Sequence, residues 1–168
     1  MGRTRGAGPR DGGAAAVEFA LVVPVLLLVL FGIIDFGLLF SNQLSVKQGV
    51  REGARQGIVA NYGSACSMTW SVPPSDNLKK LGCTTVDRTS AVGGSSYVKV
   101  KVPDGWVKGK SLVVCQMVQT NGLTGLVPMP DGGVVLSKVE MSIEKAEPGQ
   151  TETGGEQAPP IGHDWSWC

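Results

Sequence analysis

Apolar and polar positions fall into distinct regimes along the chain. From Phe19 to Phe40 runs FALVVPVLLLVLFGIIDFGLLF, whose one charged residue is Asp35. At 1.5 Å per residue a helix of this length covers about 33 Å, enough to cross a hydrocarbon core of about 30 Å, so a transmembrane span is predicted over 19–40. Past the span, Val46, Val50, Ala54 and Ile58 recur every four residues with no proline between them, which predicts that the helix continues to Ala60. Gly49, Gly53 and Gly57 repeat at the same step on a neighbouring stripe. Each costs a lone exposed helix about 1 kcal/mol relative to alanine, so close packing is expected to compensate.

The pattern then changes period. Tyr97 to Val102 reads YVKVKV, with Val98, Val100 and Val102 on one face and Lys99 and Lys101 on the other. Further strands are predicted from Leu112 to Gln119 and from Val134 to Glu144, with turns at Pro103-Asp104-Gly105 and at Pro128 to Gly133. The fold class is therefore α+β: a long N-terminal transmembrane helix, then a small antiparallel β-sheet domain leaning on its distal part, then a flexible tail. The corresponding segments are a leader at 1–13, the helix at 14–60, a β-rich domain at 61–147 and a Gly/Pro-rich tail at 148–168. Within the domain, the Ser-, Gly- and Thr-rich stretch 61–96 is assigned to loop.

Composition narrows the function classes. With 168 residues, of which 24 are glycine and 10 proline, the chain leaves little room for a large enzyme core. A net charge of +1 gives no overall field for nucleic acid, and no nucleic-acid partner is expected. The single histidine, His163, excludes a multi-histidine metal site; no metal and no cofactor are expected. No GxSxG elbow or phosphate loop occurs, and His163, clustered with Asp164 and Cys168 in the tail, reads as solvated rather than catalytic. Lys79, Lys80, Lys99, Lys101, Lys108 and Lys110 are either solvated strand faces or an anion-binding patch, and the first is the simpler reading. Trp70 and Trp106 are expected in a core or interface, with Trp165 and Trp167 as candidate surface aromatics.

Four cysteines, Cys66, Cys83, Cys115 and Cys168, all follow the span, and no CxxC pair suggests zinc. An even number in a small unit suits disulfides formed outside the cytoplasm. Three connectivities are open; Cys66 with Cys83 closes the shortest plausible loop and leaves Cys115 for Cys168. The same cysteines settle the orientation. Arg3, Arg5 and Arg10 before the span are balanced by Lys47, Arg51 and Arg55 after it, whereas the thiols place the C-terminal domain outside and the N-terminus in the cytoplasm.

A secretory signal would explain a basic flank followed by an apolar run, but this run is too long and no small-x-small site closes it. The small residues Gly12, Gly13, Ala14, Ala15 and Ala16 instead precede it. A cut between Gly13 and Ala14 would remove the basic leader and make Glu18 the fifth residue of the mature chain. The string GAAAVEFALVVPVLLLVLFGIIDFG, followed by SVKQGVREGARQGIVA with its REGAR core at 51–55, resembles the prepilins of the type IV pilus superfamily. In particular it resembles the TadE-like minor pilins (pseudopilins) of the Tad/Flp system. This resemblance implies processing by a prepilin peptidase at Gly13 and Ala14, and a structural role alongside other Tad/Flp pilins and pilus assembly proteins. It also assigns Glu18 and Phe19 to assembly, Glu18 pairing with the new amine of Ala14 on an adjoining subunit.

Several residues admit rival readings. A carboxylate in lipid is penalised by roughly 2.5 to 3.5 kcal/mol, and Glu18 could simply snorkel into the headgroups. Pro24 deletes one backbone donor and predicts a kink. Asp35, about 24 Å along the helix from Phe19, is placed near the outer interface, either hydrated or in contact with another subunit. Arg51, Glu52 and Arg55 form a candidate surface salt-bridge group. For the whole protein, the alternatives are a permanent single-span anchor with an extracellular interaction domain, and a membrane-tethered enzyme acting on the envelope.

Overall fold

The first element, α1, is a single helix of 47 residues, Gly12–Ile58, with Pro24 inside it. The computed structural model describes residues 12–91, 93–122, 124–125, 128–146 and 153–168, so the leader expected at 1–13 lies outside them up to residue 11. Two environments divide α1. From Gly13 to Ile34 the side chains are exposed, apart from partial cover at Val23, Phe31 and Gly32. At Asp35 a buried stripe begins, and Leu39, Asn42, Val46, Gly49, Val50, Gly53, Ala54 and Gly57 continue it at helical spacing. Residues 35–40 of the expected span are thus shared with the folded domain. The helix stops in a Schellman turn: Ala60 takes the left-handed conformation at φ 57°, its N–H bonds Gly57 O, and Asn61 N–H bonds Gln56 O.

A second helix, α2 (Asp76–Asp87), occupies part of the stretch read as loop. This corrects the assignment of 61–96. The helix is short and polar, with only Leu78 and Leu81 as large apolar side chains fully buried, and tertiary packing rather than propensity holds it. Four antiparallel strands follow: β1 (Gly94–Lys101), β2 (Ser111–Thr120), β3 (Val134–Ser142) and β4 (Gly154–Glu156), in the order β3-β2-β1-β4. Register runs from Gly94↔Thr120 to Lys101↔Val113 between β1 and β2, and from Ser111↔Ser142 to Gln119↔Val134 between β2 and β3.

One sheet face packs on both helices. Val98, Val100, Leu112, Val114 and Val118 form a continuous core with Val46, Val50, Ala54, Leu78 and Leu81. The other face is covered as well, by the chain's last residues: Trp165 and Cys168 lie on Val113, Cys115, Met117 and Val134. The flexible tail expected at 148–168 is therefore corrected from Thr153 onward, residues 148–152 lying outside those described. The composition misleads there because the glycines do local work. Gly154 and Gly155 let β4 lie against β1 and the Pro74 ring, where a Cβ on Gly155 would come within 2.5 Å of that ring.

All four cysteines are paired, Cys66 with Cys83 and Cys115 with Cys168, at Cα separations of 5.8 and 6.0 Å. The first ties the loop after α1 to α2, and the second staples Cys168 to the centre of β2.

Candidate assembly helix and the domain that grips it

Nothing among the described residues covers the N-terminal half of α1. Val17, Phe19, Leu21, Val22, Val25, Leu26 and Leu28 are all more than half exposed. An apolar surface this continuous, with a window of mean hydropathy 2.8, is far beyond what a water-soluble surface carries and calls for lipid or other helices as its surroundings. Gly13 and Glu18 lie exposed on this bare segment, and a Cβ on Gly13 would meet no atom within 4 Å. Ala14 and Glu18 stand four residues apart, one turn along a common face. Around Pro24, the side chains of Leu21, Val22, Val25, Leu26 and Val29 line a shallow groove that is almost wholly apolar.

Asp35 marks the boundary and is fully buried. Thr124, in the loop between β2 and β3, donates its hydroxyl to Asp35 Oδ2 at 2.5 Å and its backbone N–H to Oδ1 at 3.4 Å. Gly122 lies beside this contact: a Cβ there would come within 3.0 Å of Met129 Cε and stand at ordinary contact distance, 3.5 Å, from Asp35 Oδ2. Hydration and contact with another subunit were the two expectations for Asp35; in the fold its partner is its own chain. A carboxylate out of water needs such donors, because an unpaired buried charge is strongly unfavourable.

The glycine stripe meets α2. A Cβ at Gly49 would come within 1.9 Å of Thr89 Oγ1, one at Gly53 within 2.1 Å of Thr85 Oγ1, and one at Gly57 within 2.6 Å of Leu112 Cδ2. The two threonines are themselves fixed: Thr85 donates to Leu81 O at 2.9 Å, and Thr89 donates to Thr85 O and contacts Gln116 Oε1, each at 2.9 Å. On the outward side of the same stretch, Arg55 Nε lies 2.9 Å from Glu52 Oε2, and Gln56 Nε2 donates to Oε1 at 2.7 Å. The third partner of the surface group is thus Gln56 rather than Arg51. Bonds from Arg55 and then Gln56 hold the Glu52 carboxyl at about 2, well below its ordinary 4.5.

Elsewhere the chemistry is sparse. Asp164 accepts from Ser166 N–H at 2.8 Å and from its hydroxyl at 2.5 Å, which lowers its pKa, and neither contact suggests a nucleophile. No group of three or more His, Cys, Asp or Glu able to hold a metal occurs among the described residues. The lysines are dispersed into separate contacts: Lys99 with Glu156, Lys79 with Asp76 and Lys110 with Asp104. Trp106 is buried edge-on to Tyr62, with ring centroids 5.3 Å apart, while Trp70 is half-buried over Gly82. Trp165, read as a surface aromatic, is buried with only 6% exposure. Its one sequence signal was proximity to Cys168, whose pairing with Cys115 draws it onto the sheet.

Residues 13–55 match the family model described as TadE-like protein. The matched stretch contains the bare half of α1 and the gripped half up to Arg55, and leaves the sheet domain outside it. No curated protein and no solved structure matches the chain.

Proposed function

We propose, with the TadE-like match of residues 13–55 as the premise, that this chain is a minor pilin of a Tad/Flp-type pilus or related secretion filament. The observation that carries the reading is that the matched helix is half bare: residues 13–34, apolar apart from Glu18, are exposed except for partial cover at Val23, Phe31 and Gly32. Such a surface can pass from lipid to neighbouring helices at little cost in solvation, because both surroundings are apolar. The role is structural rather than catalytic.

In this mechanism the chain is stored as a single-pass membrane protein, N-terminus in the cytoplasm and the disulfide-bonded domain outside. A prepilin peptidase cuts between Gly13 and Ala14. The new ammonium on Ala14 then needs a counter-ion in an apolar setting, and Glu18 of an adjoining subunit supplies it, setting the axial register of each added subunit. Phe19, next to that pair, packs against the neighbouring helix. The gripped half of α1 carries the domain along as the helix leaves the bilayer.

Mass spectrometry of the mature N-terminus tests the reading. It expects chains beginning at Ala14 in piliated cells, and retention of the full-length precursor when Gly13 is replaced by a bulky residue. An intact Met1 or Gly2 terminus on chains from piliated cells would establish the permanent anchor instead. Glu18→Ala should leave insertion and most cleavage intact while abolishing pilus biogenesis, because removal of the charge makes the segment more lipid-compatible. Normal pili in that strain would return Glu18 to the headgroup region as a snorkelling side chain.

A further inference from the structure

The domain has a defined lower end. Glu144 and Lys145 donate their N–H groups to Ile58 O, so the end of β3 sits at the top of α1. Gly122 and Thr124, before the start of β3, sit at Asp35, at the lower limit of the gripped stretch. The lengths agree: 23 steps of helix from Asp35 to Ile58 cover about 35 Å, and the nine residues of β3 about 30 Å. The α2–β1 connection also reaches the Asp35 end of the sheet, since β1 begins at Gly94 opposite Thr120, the last residue of β2. The β1–β2 turn is at the Ile58 end, where Gly109 N–H bonds Ile143 O, and Thr89, just past α2, meets α1 at Gly49.

Directly below Asp35, bare helix begins. Residues 13–34 cover about 33 Å, close to the thickness of a hydrocarbon core, and exposed Phe36 and Phe40 carry the apolar surface past Asp35 on one face, so a bilayer fitted to it has its outer boundary at or just above Asp35. The β2–β3 connection at this level carries no charge from Asn121 to Pro130 and one, the exposed Asp131, shortly before β3, whereas the turn at the other end carries Asp104, Lys108 and Lys110.

From these placements we infer that the β2–β3 loop, at Gly122, Thr124, Gly125, Pro128 and Met129, is a lipid-contacting foot that rests in the outer interface of the bilayer. The Thr124–Asp35 hydrogen bonds latch that foot to the helix and set the depth at which the chain sits. The occupant of the loop's outer surface is lipid, because the loop is continuous with the bare span and is uncharged before Asp131, where interfacial residues meet acyl chains. Asp35 is a positioning residue: its carboxylate acts through Thr124 and holds the loop at one height on α1. The inference rests on the membrane reading of 13–34.

Backbone NMR on the full chain, one copy per phosphatidylcholine/phosphatidylglycerol nanodisc, tests both together. One sample carries a nitroxide on the upper acyl chain and a second a water-soluble gadolinium chelate. Amides of Gly122, Thr124, Gly125 and Met129 should lose most of their intensity to the lipid nitroxide, as Leu21 to Val29 do, while Gly105 and Gly109 answer only to the chelate. Asp35→Leu should release the loop from the lipid nitroxide without changing the response of Leu21 to Val29, whereas Asp35→Asn, which still accepts from Thr124, should retain most of it. Thr124→Val repeats the test should Asp35→Leu fail to fold. If Leu21 to Val29 sense lipid but the loop senses only the chelate, the foot is overturned and the span stands. If Leu21 to Val29 answer to the chelate, the membrane reading falls and the foot with it. Protection of the loop that appears only with several copies per disc would show a second copy as its cover and overturn the lipid contact.

Discussion

Glu52 and Ala60 each carry a local consequence that a single substitution can read. Glu52 has a pKa depressed by Arg55 and Gln56, so its contacts contribute fully above the ordinary value of 4.5 and are lost as pH falls through about 2. Side-chain NMR should place its titration midpoint near the lower value, and Arg55→Ala should move it back towards the upper one. Because the pair is solvent-exposed, little change in overall stability is expected over that window. Ala60 stands where helices usually end in glycine, at a positive φ that crowds its Cβ. Ala60→Gly should therefore raise stability by about 1 kcal/mol, visible as a higher midpoint of thermal unfolding in detergent.

At the scale of elements, α1 carries two opposite demands on one continuous helix. Below Asp35 it presents apolar side chains on every side; above it, a narrow stripe of glycine, alanine and valine lets α2 and the sheet approach. Gly53→Leu drives a side chain into Thr85, whose hydroxyl is fixed on Leu81 O, and should destabilise the domain by roughly 1–3 kcal/mol through overpacking. Gly37→Leu is the matched control, since a Cβ there meets nothing within 4 Å, and it should leave the unfolding midpoint almost unchanged or slightly raised by helix propensity. Equal losses from both would mean that α2 does not grip the glycine stripe.

For the whole molecule, the sheet domain is small and both of its faces depend on segments fastened by disulfides. Cys115–Cys168 closes a separation of 53 residues, for which the chain-entropy model gives about 4 kcal/mol. Replacing both by serine should release the terminal segment with Trp165 and expose the outer face of β2, read as faster proteolysis near Ile161 and a lower unfolding midpoint. The Cys66–Cys83 bridge closes only 17 residues and should cost about 3 kcal/mol when removed. Its loss should loosen α2 and leave the C-terminal cover in place.

How much of this was legible in the residue order follows from the range over which each signal acts. The long helix, the alternating strands at Val98 to Val102 and Lys138 to Ser142, and the stripe at Val46, Val50 and Ala54 were readable because their periods are set by neighbours two to four places apart. Residues 76–87 read as loop because α2 is short and mostly polar, burying small side chains beside Leu78 and Leu81, and it packs as a helix where the glycines of α1 leave room for it. The terminal segment read as an exposed tail because β4, Trp165 and Cys168 gain their partners from β1 and β2, many residues earlier. Asp35 is the clearest case: its place in the apolar run was plain, but its burial depends on Thr124, a partner 89 residues away that is brought near only when β2 and β3 pair and lie along the helix.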